Sequence, residues 1–164
     1  MHLRDAGVAG DVMSMVSDEW RMVWKGRDGH AYDEPAFRHL LARERIRARA
    51  GGPIVLVLVE LTGPAAGLDR TLVDRLFSAL TSCVRETDVV GWYRRHRVAA
   101  VVLTEVADAP VATVARLVAA RVAAALERRL PATVAHRVHV RIHPNHRSAA
   151  AMTAAAELAV REDQ

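Results

Sequence analysis

The sequence predicts an α+β fold in which helices flank a central mixed sheet that contains a β-hairpin. Helix-like and strand-like segments alternate along the chain. One apolar run, residues 54–59, has the length and β-branched composition of a strand that is buried on both faces. Two short apolar segments are separated only by residues 94–97, as in a tight hairpin. Together these observations predict the element order α-β-α-β-β-α-β-α from residue 33 onward.

The first 32 residues are predicted to form an N-terminal extension to a domain at residues 33–164. Apolar side chains in residues 11–25 fall partly on one side of a helix, which Gly26 and Gly29 would end. Trp20 and Trp24 are four residues apart and would share a helix face. We expect them to serve internal packing, although a dimer interface would use the same residues.

The elements of the main domain follow from capping signals and hydrophobic periodicity. Asp33, Glu34 and Pro35 are typical of a helix start, and the glycines and proline at residues 51–53 end that helix before the buried strand. The remaining predictions are a helix at 69–86 with Asp69 as its N-cap, strands at 88–93 and 98–103, a helix at 110–129, a half-exposed strand at 138–143 and a final helix at 148–161.

Composition restricts the class of protein. The chain has 164 residues, one cysteine and no apolar run long enough to span a bilayer, so we expect a single cytoplasmic domain, with enough length left for a short appended segment. Cys83 is expected to be buried and inert rather than a nucleophile.

The formal net charge is +4 and nearly all of the basic residues are arginine. Arginine suits phosphate and guanine, but a GC-rich genome would produce the same bias. Nucleic-acid binding is not expected, because no aromatic residues lie beside the arginines at 38–49.

A short motif precedes the predicted hairpin. Arg85 and Asp88 form an Arg-x-x-Asp sequence, five residues follow, and the next five are Arg94, Arg95, His96, Arg97 and Val98. This spacing and the order of elements resemble the GGDEF domain of diguanylate cyclases, in which Gly-Gly-Asp/Glu-Glu-Phe occupies those last five positions. The resemblance covers about residues 33–160. It implies a GGDEF-like, nucleotide-cyclase-like sandwich.

The departures from the family pattern imply a degenerate domain that is not an enzyme. In the family, an acid at the end of the first strand and an acid in the hairpin hold two divalent cations. Glu60 falls at the first position, but His96 falls at the second, and hard cations prefer carboxylate oxygens. Arg94 and Arg95 replace the glycines that let backbone approach the phosphates. The loop that reads guanine is short and lacks its polar residues. We therefore expect no catalytic residue, a vestigial Glu60, and no resident metal or cofactor.

The Arg-x-x-Asp motif is an inhibitory site for cyclic di-GMP in the family. The resemblance therefore implies a regulatory receptor in which Arg85 and Asp88 bind guanine and Arg94, Arg95 and Arg97 neutralise phosphates. Domains of this degenerate kind are sometimes associated with exopolysaccharide production. Two alternatives remain open. Arg85 could instead stabilise the end of a helix while Asp88 binds backbone amides or pairs with Arg85, and the domain could be a protein-interaction or dimerisation module without a nucleotide ligand.

Four histidines near the C-terminus are of the residue type that binds metals, but their spacing is unsuitable for a shared ion. They are His136, His139, His143 and His146. Residues four apart on a strand are separated by about 13 Å, too far to share one ion. We therefore predict a solvated strand face.

Overall fold

Six strands and four helices make up the described part of the chain. The structure is a computed structural model, and it describes residues 21–27, 29–64, 68–106 and 110–144. The strands are β1 (Met22–Gly26), β2 (Gly29–Tyr32), β3 (Val55–Leu61), β4 (Val89–Arg94), β5 (Val98–Leu103) and β6 (Val138–Pro144). The helices are α1 (Glu34–Gly51), α2 (Arg70–Thr81), α3 (Val111–Arg129) and the single turn α4 (Ala132–Ala135).

The strands form one mixed sheet with the order β1-β2-β4-β5-β3-β6. Neighbouring strands are antiparallel except β2 and β4, which run parallel and meet at Tyr32 and Gly91. β3 lies between β5 and β6 and pairs with each of them along nearly its whole length. β4 and β5 form the predicted hairpin. The predicted α+β fold with a mixed sheet is confirmed.

Both faces of the sheet are covered by helices. On β3, Val55, Val57 and Val59 belong to a core that includes residues of α2 and α3. Leu56 and Leu58 alternate with them and belong to a second, smaller core formed with α1. Because successive side chains on a strand point to opposite faces, an uninterrupted apolar run supplies both cores. The prediction that residues 54–59 form a central strand is confirmed.

Side-chain caps determine where two helices begin. Asp33 Oδ1 accepts a hydrogen bond from the amide of Ala36 at 3.0 Å. Asp69 Oδ1 accepts one from the amide of Leu72 at 2.8 Å. Each carboxylate satisfies an amide that has no partner within the helix. The predicted starts of α1 and α2 are confirmed.

The predicted end of α2 is wrong. The helix ends at Thr81 rather than at residue 86. The Thr81 hydroxyl donates to the carbonyl of Phe77 at 2.9 Å, and the Ser82 hydroxyl donates to the carbonyl of Ala79 at 2.8 Å. Such hydroxyls compete with the helical backbone pattern and favour a stop. Cys83 is therefore in the turn after the helix rather than on its face, but it is buried in the larger core as predicted.

The predicted N-terminal helix is wrong over residues 22–25, which belong to β1. Gly26 and Gly29 flank the turn of a β1–β2 hairpin instead of ending a helix. The Trp24 ring lies 6.3 Å from the ring of Phe77, measured between centroids, so this strand packs on the larger core. β1 and β2 thereby join the same sheet as the strands of residues 33–164. Trp20 and the other residues before 21 lie outside the described residues.

The later elements agree with the sequence predictions. α3 begins one residue after the predicted position and ends at Arg129 as predicted. On β6, Val138, Val140 and Ile142 pack against the larger core, whereas the three alternating residues, His139, Arg141 and His143, are exposed. The helix predicted at residues 148–161 lies outside the described residues. Among the described helices, none combines the length and apolar character needed to cross a membrane.

We predict that Gly91→Ala destabilises the protein by about 1–3 kcal/mol, the usual cost of overpacking a core. A Cβ atom at this position would lie 2.6 Å from the carbonyl oxygen of Tyr32 and 2.8 Å from Cδ2 of Phe37. It would therefore push β2 or α1 away from β4. Gly52→Ala is the matched control, because a Cβ there meets nothing within 4 Å. Urea denaturation of both variants measures the difference, and equal stability would contradict the close approach at Gly91.

Candidate functional site

The residues predicted to form one ligand site lie at opposite ends of the β4–β5 hairpin. Asp88 immediately precedes β4, whereas Arg94 ends it. Six residue steps along the strand separate them by about 20 Å at 3.3 Å per residue. The structure therefore does not bring Arg94, Arg95 and Arg97 next to Arg85 and Asp88. The two groups were expected to be near each other because they are close in sequence, but an extended strand keeps its two ends apart.

The Arg85–Asp88 segment is a tight turn held by one carboxylate. Asp88 Oδ2 accepts from the amide of Arg85 at 2.9 Å, and the Asp88 amide donates to the Arg85 carbonyl at 3.0 Å. Asp88 Oδ1 accepts from the amide of Thr104 at 3.2 Å, just after β5 ends. The Thr104 hydroxyl donates to the carbonyl of Thr87 at 3.1 Å. Asp88 thus binds backbone amides, as one of the two open alternatives predicted, and it joins the start of β4 to the end of β5.

The Arg85 guanidinium is exposed at this turn. Arg85 lies beyond the last residue of α2, so a role in stabilising the end of that helix is wrong. Within the described residues its guanidinium forms no ion pair with Asp88. Another arginine reaches the same region, since Arg47 Nη2 on α1 donates to the Thr104 carbonyl at 3.3 Å. The turn therefore presents an exposed guanidinium, without a partner among the described residues, beside a hydrogen-bonded carboxylate.

The hairpin tip at residues 95–97 is fixed by backbone hydrogen bonds. The Arg97 amide donates to the Arg94 carbonyl at 3.0 Å, and the Leu61 amide donates to the Arg97 carbonyl at 2.8 Å. The Arg95 amide donates to Glu34 Oε2 on α1 at 2.7 Å. His96 adopts a left-handed conformation with φ of 58°, which is uncommon outside glycine. Glu34 was predicted only as a favourable residue in the first helical turn, and nothing in the sequence indicated its contact with the hairpin.

His96 lies on the face of the sheet that carries the larger core. Its ring packs edge-on against Trp92, with centroids 5.7 Å apart, and Trp92 belongs to that core. His96 also lines a small pocket together with Leu61, Leu68, Val134 and Arg137. This pocket is located where β3 ends, beside the hairpin tip and the turn that leads into β6.

Glu60 lies on the opposite face of the sheet from His96. It follows Leu56 and Leu58 in the alternation of β3, on the side of the smaller core. Its cross-strand partners are Val98 and His139. Glu60 Oε2 forms an ion pair with Arg141 Nε at 3.3 Å. The two residues at the family's metal positions therefore point away from each other.

The segment after β3 is clamped to the turn before β6. The Thr62 amide and hydroxyl both donate to the Arg137 carbonyl at 2.9 Å, and Arg137 Nε donates to the Thr62 carbonyl at 2.7 Å. Gly63 has a φ of 96°, and a Cβ there would overlap the Arg137 guanidinium. Sequence reasoning missed this contact, because Thr62 and Arg137 belong to no motif and lie 75 residues apart.

The histidines behave as single residues where they are described. His139 and His143 are exposed on β6, and His136 Nδ1 lies 2.9 Å from the Ala132 carbonyl in the preceding turn. Across the described ranges, no group of three or more histidine, cysteine, aspartate or glutamate side chains is arranged to hold a metal ion. His146 lies outside those ranges.

Comparison with known proteins shows a similarity of fold. No protein-family model matches the sequence, and no curated protein matches it. A solved structure of a DGC protein from Thermotoga maritima, DGC denoting diguanylate cyclase, is similar with a TM-score of 0.52 and 20% sequence identity. The match covers 70% of this chain and 79% of that chain. The chain therefore has a GGDEF-like fold.

We predict that Asp88→Asn destabilises the protein by about 1–3 kcal/mol, because an amide side chain cannot accept both backbone hydrogen bonds. The amide protons of Arg85 and Thr104 should exchange faster with solvent than in the unmodified protein. Glu86→Gln is the matched control, since it removes one charge from the same turn at an exposed side chain. Hydrogen exchange followed by NMR measures both effects. Unchanged exchange at Thr104 would show that Asp88 does not hold the two strand ends together.

Proposed function

We propose that this chain is a degenerate GGDEF-like domain that lacks cyclase activity and serves as a regulatory module. The observation that carries the proposal is that the residues at the two metal positions lie on opposite faces of the sheet. His96 packs against Trp92 on one face of the sheet, while Glu60 pairs with Arg141 on the other face. A two-metal site needs carboxylate oxygens that converge on the cations. The residues present do not fit such a site.

The phosphate and base positions support the same conclusion. Arg94 and Arg95 bring side chains to the places where the family has glycines. Next to the hairpin, the Thr62 hydroxyl donates to the Arg137 carbonyl and Arg137 Nε donates to the Thr62 carbonyl, and the Arg137 guanidinium covers Gly63. Within residues 60–64, the two polar side chains already have partners in the domain, since Glu60 is paired with Arg141 and the Thr62 hydroxyl donates to the Arg137 carbonyl.

We further propose that the module is a cyclic di-GMP receptor through the Arg85–Asp88 turn. The exposed Arg85 guanidinium can pair with guanine O6 and N7. Each Asp88 oxygen accepts one backbone amide and keeps capacity to accept a further N–H from guanine. The hydrogen bonds to Thr104 hold this carboxylate in place before ligand arrives, which lowers the entropic cost of binding. Arg94, Arg95 and Arg97 have no part in this site because they lie at the other end of β4.

The alternative is a protein-interaction or dimerisation module without a nucleotide ligand. The two backbone hydrogen bonds of Asp88 favour it, since they give that residue a structural purpose by itself. The involvement in exopolysaccharide production that the resemblance implies stays a prediction. A binding measurement with cyclic di-GMP distinguishes the receptor from the interaction module.

We expect the purified chain to bind cyclic di-GMP in isothermal titration calorimetry, and Arg85→Gln to weaken binding at least about tenfold, which corresponds to about 1.4 kcal/mol and lies within the energy of one bidentate contact. Arg85→Gln is preferred to an Asp88 variant because it leaves the backbone bonds of the turn intact. Arg94→Gln is the matched control, since it removes the same charge at the far end of β4 and should leave affinity unchanged. No heat at tens of micromolar ligand would refute the receptor and leave the interaction module.

We expect no formation of cyclic di-GMP from GTP in the presence of Mg²⁺ or Mn²⁺. The physical reason is that the residues at the two metal positions face opposite sides of the sheet. Product analysis by liquid chromatography measures turnover, with an active diguanylate cyclase in the same buffer as the positive control. Turnover that depends on Glu60 would disprove the proposed loss of activity.

A further inference from the structure

Three arginines at the hairpin tip have no role in the proposed receptor site. Arg94, Arg95 and Arg97 are separated from Asp88 by about the length of β4. We define these three residues as the arginine tip. All of them are exposed. Any function of the arginine tip must therefore be independent of the Arg85–Asp88 turn.

The guanidinium groups of the arginine tip are not neutralised by the fold. Glu34 is the acid that contacts the tip, but its Oε2 accepts from the Arg95 backbone amide and its Oε1 pairs with Arg38 Nη2 at 3.1 Å. Within the described ranges, none of the three guanidiniums forms an ion pair or hydrogen bond. The tip thus carries three positive charges, unpaired among the described residues, on a turn whose backbone is held by hydrogen bonds.

The backbone of the tip is poorly suited to a small phosphate ligand. Phosphate cradles in loops use successive backbone amides as donors. Here the Arg95 amide donates to Glu34 and the Arg97 amide donates to the Arg94 carbonyl. The His96 amide and the guanidiniums remain as donors, and the three arginines are exposed and do not line the small pocket beside His96.

Single-stranded nucleic acid is also disfavoured, because Trp92 and Tyr93 at the end of β4 are poorly placed for base stacking. Trp92 is only 2% exposed, and the face of the Tyr93 ring is covered by the Arg38 guanidinium, 5.6 Å from its centroid. Carboxylates on a protein surface suit these groups, since a guanidinium can hold a carboxylate with two parallel hydrogen bonds.

We propose that the arginine tip is a docking surface for an acidic protein partner, whose aspartate and glutamate side chains pair with Arg94, Arg95 and Arg97. The occupant is chosen by charge complementarity. The rigid turn presents the three cations without an ordering cost to the backbone. Docking at the tip leaves the opposite end of β4 open, so a receptor and its partner surface can coexist in one domain.

Fluorescence anisotropy with a labelled oligoglutamate peptide tests the proposal on the full chain. Replacing the arginine tip with glutamine (Arg94→Gln, Arg95→Gln, Arg97→Gln) should weaken binding about tenfold, the sum expected for three exposed ion pairs. The matched control is Arg45→Gln, Arg49→Gln, Arg116→Gln, which removes the same net charge from exposed positions on α1 and α3. It should retain most of the affinity. The variant Arg94→Lys, Arg95→Lys, Arg97→Lys should bind the peptide with intermediate affinity, because it keeps the charge but not the two parallel hydrogen bonds.

Three results would overturn the proposal. An equal loss in the tip and control variants would show attraction by overall charge alone. Tighter binding of inorganic tripolyphosphate than of oligoglutamate, lost in the tip variant, would indicate a small-oxyanion site. Tip-dependent binding of a single-stranded oligothymidylate that exceeds peptide binding would indicate nucleic acid. Thermal melting checks that the variants remain folded. Arg85→Gln should leave peptide binding unchanged, so the arginine tip and the proposed receptor can fail separately.

Discussion

The pairing of β3 with strands on both sides is the constraint on which the rest of the structure depends. β3 is hydrogen-bonded to β5 and β6 and covered on both faces, so its backbone has no freedom to shift. A shift of one residue would exchange the residues of the two cores. The same register places Glu60 on the α1 side and aligns the end of β3 with the hairpin tip. The placement of Glu60 and His96 on opposite faces of the sheet therefore follows from the packing of the core.

Four carboxylates in this domain accept hydrogen bonds from backbone amides. Asp33 and Asp69 cap helices, Asp88 joins the ends of β4 and β5, and Glu34 holds the amide of Arg95. A carboxylate that accepts a backbone amide at a strand end satisfies a donor that the sheet leaves unpaired. In the Arg85–Asp88 turn, one residue can meet this structural need and still present acceptor capacity to a ligand. Its structural contribution therefore does not decide against binding.

The hairpin separates two surfaces that the sequence places within thirteen residues of each other. One end of β4 carries a free guanidinium beside a fixed carboxylate, which suits a guanine edge. The other end carries three guanidiniums on a protruding turn, which suits an acidic surface. A strand that separates Asp88 from Arg94 by about 20 Å lies between them. The ligand site and the docking surface proposed above therefore do not overlap.

The sequence by itself determined the fold class, the central buried strand, the hairpin and the helix starts, because these depend on local periodicity and on caps that lie within three residues of the amides they bind. Only the tertiary structure decided what depends on distant contacts. Residues 22–25 form a strand because Trp24 packs on Phe77 and β2 pairs with β4 beside Gly91. Thr62 meets Arg137 across 75 residues, a contact without a local pattern. Arg85 and Arg94 are nine residues apart in the sequence, but the strand between them places them at opposite ends of β4.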